Sequence, residues 1–591
     1  MIENWAAEAA NQQNFRSKDA IVIYEDSTGA AYSPIPPPAG YAALDFRPTM
    51  LKTGVLFAMG VVHLLVVVGL VLLLKGAGND RAYSISITNI NMYLTARYGP
   101  SVIGTVTTAL VRTTVRDLQR MYPYIKMADS SPGRYGGGRA SKTIAFPFWP
   151  APLVRPDLFS MGLILASFAS LQVALKADLL QIHEEQRSWR VVVNTSITYI
   201  LLAMYGIQVA FFISVIIWLW SRGTGIRRGW DHTNLADTIA LFSCFNVKEM
   251  DFIDPSHTGK AVDRLLRGHY FRLGYWQVTR HGTDTKTVAY GIRSLGPRHH
   301  WEVCPEEGNL RAIHRPKTPY NHYPMLHTLA CAMCGLAGTI CLIGCLYIAI
   351  SGLSSRTFLI QNGKFKDVSG AFNLTQYNIT TGLPLLGKFP TGSTDGNGTS
   401  YSLVLWSALL RSAPLFVMGL AVGELAVYDY HHRWSQPLLN MYRGPALANK
   451  TLLLDYMTPS TLGVLTRAWE HGEWKVFYYA LLNALVPLLR LLPVGILTMI
   501  NIGSGIVCQF SPEFLIATII MLTVVVASQV SAWCSRQRRF PRGGTSLLDI
   551  WLLCSRSKLV KNPEFSECGP LWTKEDLSST IHLRHDKYQL G

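Results

Sequence analysis

The sequence predicts an all-α integral membrane protein. It would hold two tandem, parallel repeats of about four transmembrane segments each, eight in total, with a small cytosolic β-hairpin after the first. Three observations lead there. Only 15% of the 591 residues are Asp, Glu, Lys or Arg, against roughly 25% in soluble domains. The missing charge is absent from several long apolar blocks. The 54 basic and 37 acidic residues leave a net charge of +17, and the basic side chains gather beside those blocks, as membrane proteins place them. This composition excludes a disordered chain, a fibre and a small disulfide scaffold. It gives no argument for a nucleic-acid partner.

A helix rises about 1.5 Å per residue, so about 20 apolar residues cross a hydrocarbon core of about 30 Å. Thr53–Leu74, Thr198–Trp220, His327–Ile350 and Pro512–Cys534 meet this length, with His63 and Gln208 as polar interruptions of the first two. Tyr401–Tyr428 carries Arg411 and Glu424; Lys475–Ile500 carries Asn483 and Arg490 and is broken by Pro487 and Pro493. Their first-half counterparts, 99–111 and 158–175, are shorter and richer in Ser and Thr. The first 50 residues are polar, so Thr53–Leu74 is expected to be an uncleaved anchor. Pro34–Pro38 reads as an extended linker.

Two independent signals orient the loops. Residues 222–317 contain 15 Lys or Arg, and residues 112–155 contain eight, with Asp117 and Asp129 as the acids. Arg536, Arg538, Arg539 and Arg542 follow the last span. The positive-inside bias assigns all three segments to the cytosol, together with both termini. By contrast, 352–400 has four basic residues and three N-glycosylation sequons, at Asn373, Asn378 and Asn397; sequons are modified only on the external side. Asn194 also faces outward but abuts a span, which disfavours modification. Asn449 would be cytosolic and unused. With the N-terminus and Arg222 on one side, the first half crosses an even number of times, giving eight spans, or six if 99–111 and 158–175 both stay out. Ten cysteines are present but none lies in the sequon-bearing loop, which argues against a disulfide-built ectodomain.

These signals divide the chain into a polar cytosolic tail (1–52), a first membrane repeat (53–220), a basic cytosolic domain (221–322), a second membrane repeat (323–534) and a basic cytosolic tail (535–591). The halves share a spaced pattern. Asp117, Arg120, Pro123 and Met127 parallel Asp429, Arg433, Pro437 and Met441. Leu235-Ala236-Asp237 parallels Leu547-Leu548-Asp549, and Phe271–Gly274 parallels Tyr588–Gly591. Copies that each cross an even number of times insert in the same orientation, the parallel kind of repeat. Past Gly274 the apolar residues alternate on both sides of Arg280–Asp284, which predicts the hairpin.

With Leu452-Leu453-Leu454-Asp455-Tyr456 added, this order of motifs resembles a multi-pass membrane family of filamentous fungi. That family is defined by a duplicated domain of unknown function, numbered three-four-three-three. The resemblance implies an integral membrane protein and supplies no catalytic residue.

Gly133–Thr143 looks like a phosphate loop, but Gly138 stands four residues before Lys142, too far for amides and ammonium to converge on one phosphate. A basic linker resting on anionic inner-leaflet lipid fits better, at about 1 kcal/mol per basic residue. Cys331, Cys334, Cys341 and Cys345 share one face of a span with Gly335 and Gly338, which reads as a helix-packing seam. His183-Glu184-Glu185 lacks the second histidine of a zinc-protease motif. The candidate intramembrane polar site is Arg411, Glu424, Asn483 and Arg490, with Glu424 paired to Arg490, because charge at bilayer depth costs at least about 2.5 kcal/mol. The polar residues are expected in the second half only. No catalytic residue, metal site or cofactor is expected. The chain reads as a non-enzymatic scaffold, sensor or partner of other membrane proteins, in the plasma membrane or secretory pathway. The alternative is a transporter or channel with a midplane site in the second repeat.

Overall fold

The computed structural model describes residues 24–25, 31–79, 85–86, 90–128, 158–185, 188–220, 222–242, 271–279, 286–294, 325–361, 364–367, 401–489, 492–501, 506–534, 547, 550–551, 569–584 and 586–588. The fold is mostly helical. In the first half, α1 (Thr53–Asn79), α2 (Ile90–Ala128), α3 (Leu158–Lys176) and α4 (Thr195–Trp220) are followed by the short α5 (Leu235–Leu241). The second half carries α6 (Met325–Ile350), α7 (Tyr401–Arg443), α8 (Thr461–His471), α9 (Trp474–Leu489), α10 (Leu492–Ile496) and α11 (Pro512–Cys534), with α12 (Lys574–Leu583) near the C-terminus.

Three described helices are long and apolar enough to cross a membrane: Thr53–Gly76, Thr195–Trp220 and Pro512–Ser531. Gly335–Ile350 is a shorter apolar stretch. These helices turn large apolar side chains outward, with Phe57, Leu65, Leu72, Ile217, Ile340 and Ile520 all at least 60% exposed. Water penalises such faces and lipid does not, so the helices suit a bilayer. Cys341 and Cys345 are half-buried against the core formed by Leu425, Leu482, Leu522 and Val525, and the α6 backbone at Gly335 lies close to Gln529 of α11. Cys331 and Cys334 have side chains outside the described residues.

One expectation needs correction. The chain is mostly helical but not all-α beyond the expected hairpin, since three sheets accompany the helices among the described residues. A seven-stranded sheet has the order β3-β5-β4-β11-β12-β8-β9, built from β3 (Ile85–Ser86), β4 (Leu180–Glu185), β5 (Ser188–Val193), β8 (Thr357–Gln361), β9 (Lys364–Asp367), β11 (Leu497–Asn501) and β12 (Ile506–Phe510). Every one of these strands follows or precedes the same end of a long helix, so the sheet caps one end of the bundle. Its halves meet at a parallel pairing with one register contact, Asn501 with His183. The stretch Lys475–Ile500 is broken, as expected, into α9, α10 and a strand. Pro493 lacks the amide that a helix interior needs, and Leu497–Asn501 instead pairs with Ile506–Phe510 as an antiparallel hairpin.

The predicted hairpin is present as β6 (Phe271–Thr279) and β7 (Lys286–Ser294), in full antiparallel register. The N-terminal strands β1 (Tyr24–Glu25) and β2 (Ala31–Ile35) extend it to four strands, and Pro34 sits opposite Trp276. Trp276 is fully buried and its indole donates to the Gly291 carbonyl at 3.1 Å. The hairpin docks against the end of α2 beside Gly225, whose φ is +73° and where a side chain's Cβ would lie 2.8 Å from Ala128 Cβ and 3.3 Å from Leu273. Tyr290 donates its hydroxyl to the Gly225 carbonyl at 3.1 Å.

Candidate functional site

At the end of the bundle opposite the seven-stranded sheet, Arg120, Leu235, Arg433, Pro437 and Leu547 converge from distant parts of the chain. A cavity of about 50 Å³ is lined by Arg120, His232, Asn234, Arg433, Tyr456 and Leu547, among others. Each long helix supplies one arginine: α2 gives Arg120 and α7 gives Arg433. The α5 helix begins at the wall of the cavity, where Asn234 caps it by accepting from the Asp237 amide at 2.7 Å.

Nearly every charge around this hub has a partner. Arg120 donates to Asp231 at 3.1 Å. Arg433 makes a two-pronged pair with Asp429, at 2.7 and 2.6 Å, and Asn483 of α9 donates to the same carboxylate at 2.7 Å. Lys574 of α12 bonds the Asp231 carbonyl at 2.8 Å and the Thr233 hydroxyl at 2.9 Å, and lies 3.3 Å from Asp237. Thr233 donates onward to Asp455 of the Leu-Leu-Leu-Asp-Tyr segment at 2.9 Å. That segment also accepts at the Leu452 carbonyl from the Ala236 amide, at 3.0 Å. Arg227 lies 4.1 Å from the Trp230 ring and 4.4 Å from the Tyr290 ring, and donates to the Pro570 carbonyl at 2.6 Å. Residues far apart in the chain are thus tied by direct bonds. Beneath them, Leu235, Ala236 and Ile239 share one core with Leu438, Leu452, Leu577 and Ile581.

Chemically, the hub is a latch of closed ion pairs around a small void. His232 is the exception. It is 7% exposed and neither ring nitrogen has a hydrogen-bond partner among the described residues. Burial holds its pKa well below the ordinary range, and Arg227, Lys574 and Arg120 push it further the same way. Unfolded, the ring takes a proton near pH 6.5. The stability that His232 contributes is therefore present above about pH 6.5 and lost as pH falls towards its native value. Asp237 opposes this. Burial raises it to about 6 despite Lys574, so its contribution is present below the ordinary carboxylate pKa and is lost as pH rises through about 6. His232→Phe is expected to lose less melting temperature than the wild type between about pH 7 and 5. Equal slopes for the two proteins in a pH series of melts would refute the assignment.

The sequence-predicted polar site is placed only in part. Asn483 is half-buried and belongs to the Asp429–Arg433 pair. The side chains of Arg411 and Glu424 lie outside the described residues, as does Arg490, so their pairing does too. Asn373, Asn378 and Asn397 also lie outside. Asn194 is 8% exposed, caps α4 through Ile197 and donates to Asp178 at 3.0 Å, which leaves no room for a glycan. Among the described residues, no group of three His, Cys, Asp or Glu could hold a metal ion. The expectation that the first-half counterparts carry no such polar residue is overturned by Gln172 of α3, which is buried with His63, Lys176 and Gln208 among the first-half helices.

The motifs gathered at the hub are those on which the family resemblance rests. Residues 408–498 match the family model described as "Protein of unknown function (DUF3433)". The match spans most of α7, the Leu452–Tyr456 segment, α8 and α9, and so includes the second-half wall of the cavity. No curated protein and no solved structure matches the chain.

Proposed function

We propose that this chain is a non-enzymatic, multi-pass scaffold, sensor or partner of other membrane proteins. It would cross the bilayer eight times as two parallel copies of a four-span unit, with both termini and the hub in the cytosol and the seven-stranded sheet outside. The observation that carries the reading is the hub itself: Lys574 with Asp231 and Asp237, Thr233 with Asp455, Ala236 with Leu452 and Arg227 with Pro570 bind the halves to one another. Alternating access between parallel repeats requires them to rock, and these direct bonds across the hub resist that motion.

The eight-span form draws support from helix length and contacts. On α2, Arg97 donates to the Val494, Gly495 and Leu497 carbonyls at 3.3–3.5 Å, beside the seven-stranded sheet. Arg120, on the same helix, reaches the hub. The 23 residues between them rise about 35 Å, more than the hydrocarbon core. On α7, Leu415 packs on Ala174 and Ala177 of the first half, while Arg433 lines the cavity. The two halves also share a coarse order of elements: long helix, one or two strands, long helix, one or more shorter helices, hairpin, long helix. Membership of the fungal family along the whole chain and insertion in a surface or secretory membrane, with basic segments against anionic lipid, complete the proposal.

Changing Asn373, Asn378 and Asn397 each to Gln tests the sidedness. At least one variant is expected to lose a glycosidase-sensitive mobility shift, while Asn194→Gln runs as wild type. No shift in any of the three overturns the orientation. The function is tested by covalent capture of neighbours of the full chain in native membranes, alongside flux assays in proteoliposomes. Recovered membrane proteins without solute flux support the scaffold; flux above empty vesicles favours the transporter.

A further inference from the structure

Each of the four helices of the first half delivers a polar side chain to a shared depth. His63 of α1, Thr107 of α2, Gln172 and Lys176 of α3, and Tyr205 and Gln208 of α4 are each at most 2% exposed. Tyr205 and Gln208 sit at the middle of the apolar stretch Thr195–Trp220, and His63 at the middle of Thr53–Gly76. Side chains on a helix lean towards its N-terminus, so Lys176, the last residue of α3, runs back into the bundle rather than out to the sheet. The α2 helix leaves room for its stem at Gly104, where a Cβ would come within 3.0 Å of the lysine Cδ.

The internal bonds of this cluster do not satisfy it. Gln208 donates to Gln172 Oε1 at 2.9 Å, and the Thr107 and Tyr205 hydroxyls are 2.8 Å apart. His63 Nδ1 donates to the Met59 carbonyl at 2.7 Å, and its ring packs 4.9 Å from Phe212. Lys176 Nζ lies 4.5 Å over the Tyr205 ring. Left without a hydrogen-bond partner among the described residues are Lys176 Nζ, Gln172 Nε2, His63 Nε2 and Gln208 Oε1, and Ser101 Oγ on α2. Asp178, two residues on, accepts instead from Gln181 and Asn194. An ammonium with three open donors, beside an amide with open donors, calls for negative charge; a ring face answers only part of that demand.

We propose that the four helices of the first half enclose a midplane site for a small monovalent anion, of the size of chloride or a short carboxylate. Lys176 supplies the charge, Gln172 a hydrogen bond, and Tyr205 the wall. The site lies within one half rather than between the halves, so the bound anion completes the fold of that half and gives a sensor something to sense. The inference does not rest on the scaffold reading or on the count of spans, and each survives the failure of the other.

The test uses the purified full chain in detergent, at fixed ionic strength, with sodium gluconate replaced stepwise by chloride, formate or acetate. The melting temperature of the wild type is expected to rise and saturate with at least one small anion, and the comparison among the three distinguishes halide from carboxylate. Lys176→Met is expected to weaken the apparent affinity at least about tenfold. Gln172→Glu places a carboxylate beside the lysine. In gluconate it is expected to melt at the temperature the wild type reaches with its anion, and to respond to none. The proposal is overturned by a wild type that melts identically in all four salts. It is equally overturned by a response that Lys176→Met retains, which would be a general salt effect.

Discussion

Asp429→Ala is expected to destabilise the chain by about 3–5 kcal/mol, the range for orphaning one member of a buried ion pair. Asp429 and Arg433 are 2% and 5% exposed and meet through two charge-assisted bonds. Removing the carboxylate leaves the guanidinium buried without its anion and deprives Asn483 of its acceptor. The loss exceeds that of any exposed pair. Arg356–Asp367, at 3.4 Å with both partners about half exposed, belongs to a class worth about 0–1 kcal/mol. A second substitution separates charge from shape. Asp429→Leu with Arg433→Met is expected to recover most of the stability, because an apolar pair of similar volume carries no desolvation cost. Thermal melts of the three proteins in detergent decide it; a loss below about 1 kcal/mol for Asp429→Ala would remove this pair as a source of the hub's stability.

Leu452→Ala is the second large effect, at about 2–5 kcal/mol. Leu452 is fully buried in the core shared by α5, α7 and α12, and its carbonyl receives the Ala236 amide. Truncation removes transfer energy and leaves a void beside residues of both halves. The consequence differs in kind from a cavity inside one half. If a protease site is inserted between residues 295 and 324, the cleaved halves of the wild type are expected to co-purify, while those of Leu452→Ala separate at lower denaturant. A control, Leu201→Ala, lies in a core confined to the first half. It is expected to lower the melting temperature by a similar amount without easing separation. Equal separation in the two variants would mean that the halves are held elsewhere.

The apolar stretches were legible because length and the absence of charge are properties of a contiguous segment. Long helices stand at Thr53–Leu74, Thr198–Trp220, His327–Ile350 and Pro512–Cys534 for that reason. The hairpin at 271–294 was legible from strict alternation. The seven-stranded sheet was not, since its strands are two to six residues long and lie where helical stretches end. Leu497–Asn501 reads equally well as the tail of a span until its partner Ile506–Phe510 is known. The hub was half legible. Arg120, Asp429, Arg433, Asp237 and Asp455 stood out as motif residues, but their meeting depends on where distant segments of the chain travel. Arg227, His232 and Lys574 carried no spacing signal at all. The polar cluster of the first half escaped for a similar reason. His63, Gln172, Lys176 and Gln208 are single polar residues scattered over three helices, each tolerable alone in an apolar run.

The order of the seven-stranded sheet reads nearly the same from its middle outwards: β4, β5, β3 on one side and β11, β12, β8 on the other. The seam between β4 and β11 is a same-direction pairing, which is what a half-turn about an axis parallel to the strands produces. Two separate molecules meeting along such an edge would part on dilution. Here both edges belong to one polypeptide, so their encounter is intramolecular and independent of protein concentration.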